Sequence, residues 1–399
     1  MSFLLKNERS LQELNFGFEE SPVIEMFHRI YSWLNGKKMP PIKLILTPTD
    51  RCNLSCFFCP NSVARANGRF RQEDELNDDE WLRIVDEGIK LGVKQWVVLG
   101  GGEPLLRREL INRIFREIKD RNRKAYCEII TNGTLFKKED ILHYIDKGIT
   151  CVTFSIHGID ETYKSITGSS NAFKVTIKNI KLFRDMKERM NKTKPTIQVN
   201  MVVNKHNYDQ ISGMIDFFAK NGCSVIAFHT MRAYDEIRCK VNGLELTDEQ
   251  SENLKRYLSQ IAKISEKKGI LLKTETLETS PSFSVPTVIK GLEKILPVRC
   301  YEPWYSMIIN PDGMIGRCTA FVSRNEPINI RDSTLEDIWY GDFFTKIRDN
   351  IRNNIMMDGC ANCGLLNSTN FIKDFFPLFF RYFKKEVTLS QFLDILMRI

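Results

Sequence analysis

The sequence predicts an α/β fold with a parallel sheet, followed by a small C-terminal unit. Between residues 42 and 232, six short apolar runs alternate with charged stretches of helical spacing. Such alternation is typical of strands that are joined by crossover helices. We expect this sheet to curve into a partial (β/α)6 TIM-like barrel, with six strand–helix units instead of the usual eight. A flat, doubly wound sheet is the alternative.

Composition excludes several classes of protein. With 42% hydrophobic and 27% charged residues, the chain is neither disordered nor fibrous. No apolar run approaches the roughly 18 residues of a spanning helix, and the N-terminus lacks the features of a signal peptide. We therefore expect a cytoplasmic protein with reduced cysteines. The net charge of +8 includes no Lys/Arg block dense enough to predict nucleic-acid binding.

The predicted elements follow one another in a simple order. An N-terminal extension (1–41) contains one amphipathic helix, and residues 42–235 form the partial barrel. The six strands are IKLIL (42–46), QWVVLG (95–100), AYCEIIT (125–131), CVTFSIH (151–157), TIQVNMVV (196–203) and SVIAFHTM (224–231). Residues 236–297 are predicted as a connection, with a helix capped by Thr247 and then a Ser/Pro-rich linker.

Two segments complete the chain. A smaller unit (298–366) contains Pro311-Asp312-Gly313, a turn signal that predicts a hairpin. The tail (367–399) is rich in Phe and is predicted to be helical. Packing of its aromatic face on the barrel is the favoured interpretation. Contact with a membrane surface through this face and its basic neighbours is the alternative.

Three cysteines, Cys52, Cys56 and Cys59, stand at C-x3-C-x2-C spacing directly after the first predicted strand. Soft thiolates select zinc, copper(I) or an iron–sulfur cluster. A structural zinc site takes four protein ligands, whereas three thiols leave one metal position open. An open position suits a site in which a small molecule binds the metal directly.

With Phe58 just before the last cysteine, this motif resembles that of the radical S-adenosylmethionine (radical SAM) enzymes. The resemblance implies a [4Fe–4S] cluster on the three cysteines, with S-adenosylmethionine on the remaining iron. It also implies reductive cleavage of S-adenosylmethionine to a 5′-deoxyadenosyl radical, which takes a hydrogen atom from the substrate. A reducing partner such as flavodoxin or ferredoxin follows from this chemistry. A non-catalytic iron–sulfur electron-transfer protein is the alternative of another class.

Motifs at further strand ends support the resemblance. GGEP (101–104) follows the second strand, where glycines allow close backbone approach and Glu103 can pair with an ammonium group. An electron carrier has no use for such a pocket. By resemblance, the residues that contact S-adenosylmethionine are Phe58, Gly101, Gly102, Glu103, Pro104, Ser155 and Asn200. For Ser155 and Asn200, ordinary bonding to the backbone is an equal alternative. His157 is a candidate substrate or proton contact, or an ordinary loop histidine.

A second cysteine set, Cys300, Cys318, Cys360 and Cys363, forms two pairs that suit a closed four-thiolate site. Chemistry alone leaves zinc and iron–sulfur equally open. The set is similar to the SPASM/twitch extension of radical SAM enzymes, with Gly313-x4-Cys318 near its start. Because no cysteine follows Cys363, the resemblance implies the shorter twitch form with a single auxiliary [4Fe–4S] cluster.

The twitch form directs the substrate prediction towards small molecules. We expect oxidation (dehydrogenation) or rearrangement of a small polar metabolite, such as a sugar or an aminocyclitol. The N-terminal extension is also short for a domain that recognises a leader peptide. A radical SAM maturase of a ribosomal peptide or protein is the alternative.

Overall fold

The computed structural model describes residues 29, 32–33, 36–68, 71–231, 243–273, 300, 302–318, 328–353 and 355. Five predictions fall largely or wholly outside these ranges. They concern the N-terminal helix, the Ser/Pro-rich linker, Cys360, Cys363 and the Phe-rich tail.

Strands and helices alternate along the described chain. The strands are β1 Lys43–Leu46, β2 Gln95–Val98, β3 Tyr126–Thr131, β4 Cys151–Ser155, β5 Thr196–Val203, β6 Val225–Thr230, β7 Leu271–Lys273, β8 Ser306–Ile309 and β9 Ile315–Gly316. The α-helices are α1 Pro60–Ala66, α2 Asp78–Lys90, α3 Arg108–Arg121, α4 Lys138–Asp146, α5 Glu161–Thr167, α6 Ala172–Arg189, α7 Ile211–Lys220, α8 Asp248–Lys267, α9 Leu335–Tyr340 and α10 Asp342–Arg352. All six predicted barrel strands are therefore present.

The strands form one open sheet in the order β7-β6-β5-β4-β3-β2-β1-β8-β9. Every neighbouring pair from β7 to β8 is parallel, and only β8 and β9 are antiparallel. From β1 to β7 the sheet grows in one direction. Right-handed crossovers in a constant direction put the helices on one face, as in a barrel. This order confirms the partial barrel over the doubly wound sheet.

The two faces of the sheet differ in chemistry. On β3, Cys127 and Ile129 are fully buried in the core that the helices cover. The alternate residues Tyr126 and Glu128 are half-buried and point to the opposite face. We call this second side the inner face and define it by Glu128, Thr153, Gln198 and Asn200. Burial of each large apolar side chain on the helix side contributes about 1.5–3 kcal/mol.

The predicted hairpin of the C-terminal unit is part of the main sheet. Its turn contains Gly313, whose φ of 84° is readily adopted by glycine. Strand β8 pairs with β1 in register, and the Thr47 N–H continues the ladder by donating to the Ile309 carbonyl (3.1 Å). The boundaries drawn for this unit remain a prediction, but its first strand extends the barrel sheet directly.

Two features of the connection (236–297) can be compared with the sequence. The predicted cap of α8 is present, because Thr247 Oγ1 accepts a hydrogen bond from Gln250 N–H (3.1 Å). Strand β7 was not predicted, since its three residues are too few to show a period. Among the described residues, no helix is long and apolar enough to cross a membrane.

Two helix-interior glycines allow a matched test of packing between helix and sheet. A Cβ on Gly88 of α2 would lie 2.6 Å from Trp96 Cη2 and 2.8 Å from Leu44 Cδ1, whereas nothing lies within 4 Å of one on Gly213 of α7. We expect Gly88→Ala to lower the free energy of unfolding by about 1–3 kcal/mol through overpacking. Gly213→Ala should raise it by up to about 1 kcal/mol through helix propensity. Chemical denaturation measures both, and equal effects would contradict this packing.

Candidate functional site

The three cysteines of the first motif lie in a segment fixed from two sides. On one side, the Glu103 N–H donates to the Arg51 carbonyl (2.7 Å), next to the first cysteine. On the other side, the Ser55 N–H donates to the Thr167 carbonyl at the end of α5 (3.2 Å). The segment therefore follows a defined path at the carboxyl edge of the sheet, where sites form in folds of this class.

Both glycines of GGEP lie in close contact with this segment, Gly101 with a side chain and Gly102 with the backbone. A Cβ on Gly101 would lie 1.9 Å from Asp50 Oδ1, and one on Gly102 would lie 1.8 Å from the Arg51 carbonyl oxygen. The Gly102 N–H also donates to the Thr49 carbonyl (3.0 Å). A side chain at position 102 would push the cysteine segment away from the end of β2, and one at position 101 would displace the Asp50 carboxylate.

The Glu103 side chain is 2% exposed and accepts hydrogen bonds from residues at the end of β3. Its Oε1 accepts from Thr131 Oγ1 (2.6 Å) and Leu105 N–H (3.0 Å), and its Oε2 accepts from Asn132 N–H (2.8 Å). Burial raises the pKa of this carboxyl to about 7, against the lowering effect of these donors. A carboxylate has about four acceptor sites. Three of those of Glu103 accept hydrogen bonds from groups of the protein itself. Its predicted contact with an ammonium group remains a prediction.

Asn132 and Arg65 were not predicted as site residues. Asn132 Nδ2 donates to Asn53 Oδ1 (2.9 Å), and Asn53 lies between the first two cysteines. Arg65, on α1, donates to the carbonyls of Asp50 (2.9 Å) and Gly101 (3.3 Å). The sequence contained a partial signal for Asn132, since TNG (131–133) ends a strand. It contained none for Arg65, whose partners are backbone atoms.

The donor set fits an iron–sulfur cluster. Burial and, to a smaller extent, the neighbouring Cys59 and Cys52 together raise the pKa of Cys56 to about 12. The pKa of Cys52 is also raised, first by burial. The three thiols thus lie close enough to repel one another as thiolates, and a bound metal relieves that repulsion. Over the described ranges, no group of three His, Cys, Asp or Glu side chains is arranged for a single metal ion.

Phe58 packs against a buried histidine. The rings of Phe58 and His157 meet edge to face with centroids 4.9 Å apart. His157 Nδ1 accepts from Val202 N–H (3.1 Å), and Asn207 Nδ2 donates to the His157 carbonyl (2.8 Å). Burial, followed by the charge of His229, lowers the pKa of His157 to about 3. The histidine is therefore an anchored neutral side chain and not an exposed loop residue.

Ser155, the last residue of β4, lies beside Asn200 in the interior of β5. They are direct Cα partners on β4 and β5, and both are half-buried. Asn200 Oδ1 accepts from Gln198 Nε2 (2.8 Å). The structure brings these two residues together, while their contacts with S-adenosylmethionine remain predictions.

Two of the four cysteines of the second set are described. Cys300 and Cys318 are half-buried. The pKa of the Tyr305 phenol is raised well above its ordinary value, first by burial, then by Glu302 and by these two thiols, so both cysteines lie near Tyr305. Glu302 accepts hydrogen bonds from the hydroxyls of Tyr305 and Ser306. Strand β8 runs parallel to β1, so this group lies at the edge of the sheet opposite to the first cysteine motif.

Comparison with protein families identifies the chain. The family model of the Radical SAM superfamily matches residues 46–218, and that of the SPASM iron-sulfur cluster-binding domain matches residues 300–364. These matches identify a radical SAM domain and a SPASM domain in the chain. Both matches together confirm the predicted cofactors: a [4Fe–4S] cluster, an auxiliary cluster and S-adenosylmethionine. The ligand of each metal and the number of auxiliary clusters remain predictions.

Several known proteins resemble this radical SAM protein. The "Tungsten-containing aldehyde ferredoxin oxidoreductase cofactor-modifying protein" of Pyrococcus furiosus is 26% identical over 358 residues, which cover 83% of this chain and 89% of the relative. Streptococcus suis SuiB bound to S-adenosylmethionine has a TM-score of 0.60 and 21% identity, over 82% of this chain and 71% of SuiB. Native anSMEcpe with bound AdoMet has a TM-score of 0.57 and 15% identity, over 90% and 100% of the two chains. These solved structures show the same fold.

The low pKa of His157 predicts a dependence of stability on pH. Between about pH 6.5, its unfolded value, and about pH 3, the unfolded chain binds a proton that the folded chain does not. The contribution of neutral His157 to the free energy of unfolding is therefore fully present above pH 6.5, and it is lost as the pH falls from 6.5 towards 3. The stability advantage of the wild type over His157→Gln should shrink by about 1 kcal/mol between pH 7.5 and 5.5. Urea denaturation at both pH values tests this, and a constant difference would contradict it.

Proposed function

We propose that this radical SAM protein is an enzyme that modifies a peptide or protein substrate. The observation that carries the catalytic part is the three-thiol segment, which is fastened to the strand ends at Glu103 and Asn132. Cys52, Cys56 and Cys59 would hold the cluster there, which would supply the electron for reductive cleavage of S-adenosylmethionine and so for removal of a hydrogen atom from the substrate. The protein orients the reactants and excludes water.

The relatives favour a peptide over a small polar metabolite. A structure of SuiB with the precursor peptide SuiA covers 85% of this chain at a TM-score of 0.61, and the relative from Pyrococcus furiosus is named as a cofactor-modifying protein. These names support the maturase alternative better than the sugar or aminocyclitol that the sequence first suggested. Oxidation by removal of two hydrogen atoms is one outcome of such chemistry, and cross-linking is another.

In the proposed site, each residue has a separate task. Cys52, Cys56 and Cys59 hold the first cluster, while Ser155 at the end of β4 and its partner Asn200 on β5 bind S-adenosylmethionine. Five further residues contact the same cosubstrate, namely Phe58, Gly101, Gly102, Glu103 and Pro104. The auxiliary cluster is held by Cys300, Cys318, Cys360 and Cys363. A flavodoxin or a ferredoxin provides electrons.

Iron content and cosubstrate cleavage test the metal assignments. After anaerobic reconstitution, we expect about eight irons per chain from two [4Fe–4S] clusters. The triple variant of Cys52, Cys56 and Cys59 to Ala should lose about half the iron and all formation of 5′-deoxyadenosine under dithionite. Cys360→Ala should lose about half the iron and retain that formation without substrate. Zinc in place of iron at either site would contradict the assignment.

The substrate class is tested by turnover. The reconstituted enzyme, with dithionite and S-adenosylmethionine, is incubated separately with peptides encoded beside its gene and with a panel of sugars and aminocyclitols. We expect 5′-deoxyadenosine together with a mass change in a peptide, detected by mass spectrometry. Turnover of a panel sugar with every peptide unchanged would instead restore the small-metabolite prediction. The triple cysteine variant serves as the inactive control.

A further inference from the structure

The inner face of the sheet contains a layer of polar side chains just below the predicted cosubstrate residues. Thr153 and Gln198 are direct Cα partners on β4 and β5, and Ser155 and Asn200 are the next inward-facing pair towards the carboxyl edge. In a strand, residues two apart lie on the same face about 7 Å from each other. The layer at Thr153 and Gln198 therefore forms a floor under Ser155 and Asn200.

A carboxylate reaches this floor from one side. Glu128, on β3, accepts a hydrogen bond from Thr153 Oγ1 (2.6 Å) on one carboxylate oxygen and from Tyr126 Oη (3.0 Å) on the other. Both donors are neutral hydroxyls. They fix the position of the carboxylate and leave its charge uncompensated, and each oxygen keeps a further acceptor site.

An ammonium group reaches the floor from the other side. Lys273, on β7, donates from Nζ to Gln198 Oε1 (2.9 Å), and Gln198 is itself fixed by its donation to Asn200 Oδ1 (2.8 Å). The amide oxygen is a neutral acceptor, so it orients the ammonium group without neutralising it. An ammonium group has three N–H donors, of which this contact uses one.

The two charges act on the same part of the inner face. Cys151 lies two residues before Thr153 on the same face of β4, and its pKa is raised to about 12, first by burial and then by the charge of Glu128, while the charge of Lys273 lowers it. Among the described residues, neither Glu128 nor Lys273 forms an ion pair, with each other or with a third residue. Glu128 is half-buried and Lys273 is exposed, so a ligand group of opposite sign stabilises the Glu128 charge more than the Lys273 charge.

We propose that Glu128 and Lys273 determine substrate specificity by selecting a peptide segment with one basic and one acidic side chain. The basic group binds at Glu128, and the acidic group binds at Lys273. Their position below Ser155 and Asn200 places the segment next to the predicted cosubstrate. This inference rests on the proposed peptide-modifying function and names the class of peptide. Pre-oriented charges of opposite sign also reject peptides in which either sign is reversed.

The experiment measures binding of four synthetic peptides to the reconstituted protein with S-adenosylmethionine. The peptides share one scaffold and carry Lys and Glu, Lys and Gln, Gln and Glu, or two Gln at two fixed positions. By calorimetry we expect the Lys/Glu peptide to bind best, with about tenfold weaker binding for each charge removed. Glu128→Gln should abolish the preference for Lys only, and Lys273→Met the preference for Glu only. Glu249→Gln and Lys263→Met, exposed on α8, are the matched controls.

Each remaining outcome overturns the inference in a distinguishable way. Equal affinity of the wild type for all four peptides would refute the charge selection and leave peptide binding intact. Absence of binding by every peptide would count against the proposed substrate class as well. The wild-type series is decisive even if a variant fails to fold, and iron content with far-UV circular dichroism identifies such a variant.

Discussion

A single buried carboxylate joins the ends of three neighbouring strands in this protein. The Glu103 side chain accepts hydrogen bonds at the end of β3, and its own N–H binds the segment that follows β1. Glu103 itself follows β2, so one residue fixes three strand ends at the same edge. The three donors that it meets offset only part of the cost of burying its charge, since its pKa is raised to about 7. The path of the cysteine segment depends on this arrangement.

The remaining architecture places two chemically different regions around that edge. The helices bury one apolar side of the sheet, and the inner face carries the polar side chains of Glu128, Thr153, Gln198 and Asn200 on β3, β4 and β5. The first cysteine motif lies above this face, at the carboxyl edge, and Cys300 and Cys318 lie towards the opposite edge beside β8. The substrate space proposed at Glu128 and Lys273 lies between the two.

The sequence predicted the strands and the cysteine segment because both produce local patterns. Alternation of apolar and charged stretches gave β1 to β6, and the C-x3-C-x2-C and GGEP motifs gave the loops after β1 and β2. Contacts between loops leave no such pattern: nothing in the chain predicts that Asn53 pairs with Asn132, or that Arg65 binds two carbonyl groups. Strand β7 was too short to show a period, and the pairing of β8 with β1 is a matter of topology. The sequence-based prediction of the substrate class depended on the absence of further cysteines after Cys363. Such an absence is weaker evidence about a substrate than a residue that contacts it.

The position of β8 beside β1 has a consequence for how the protein is made. The hydrogen bond between the Thr47 hydroxyl and the Ile309 carbonyl spans 262 residues. During synthesis, β1 can pair with β2 early, but its other edge stays open until the C-terminal unit emerges. Long-range parallel pairing is slow to form, and an open strand edge promotes association between chains. The strand that precedes the first cysteine motif therefore gains its second neighbour late. Both edges of β1 are paired only after the C-terminal unit has been synthesised.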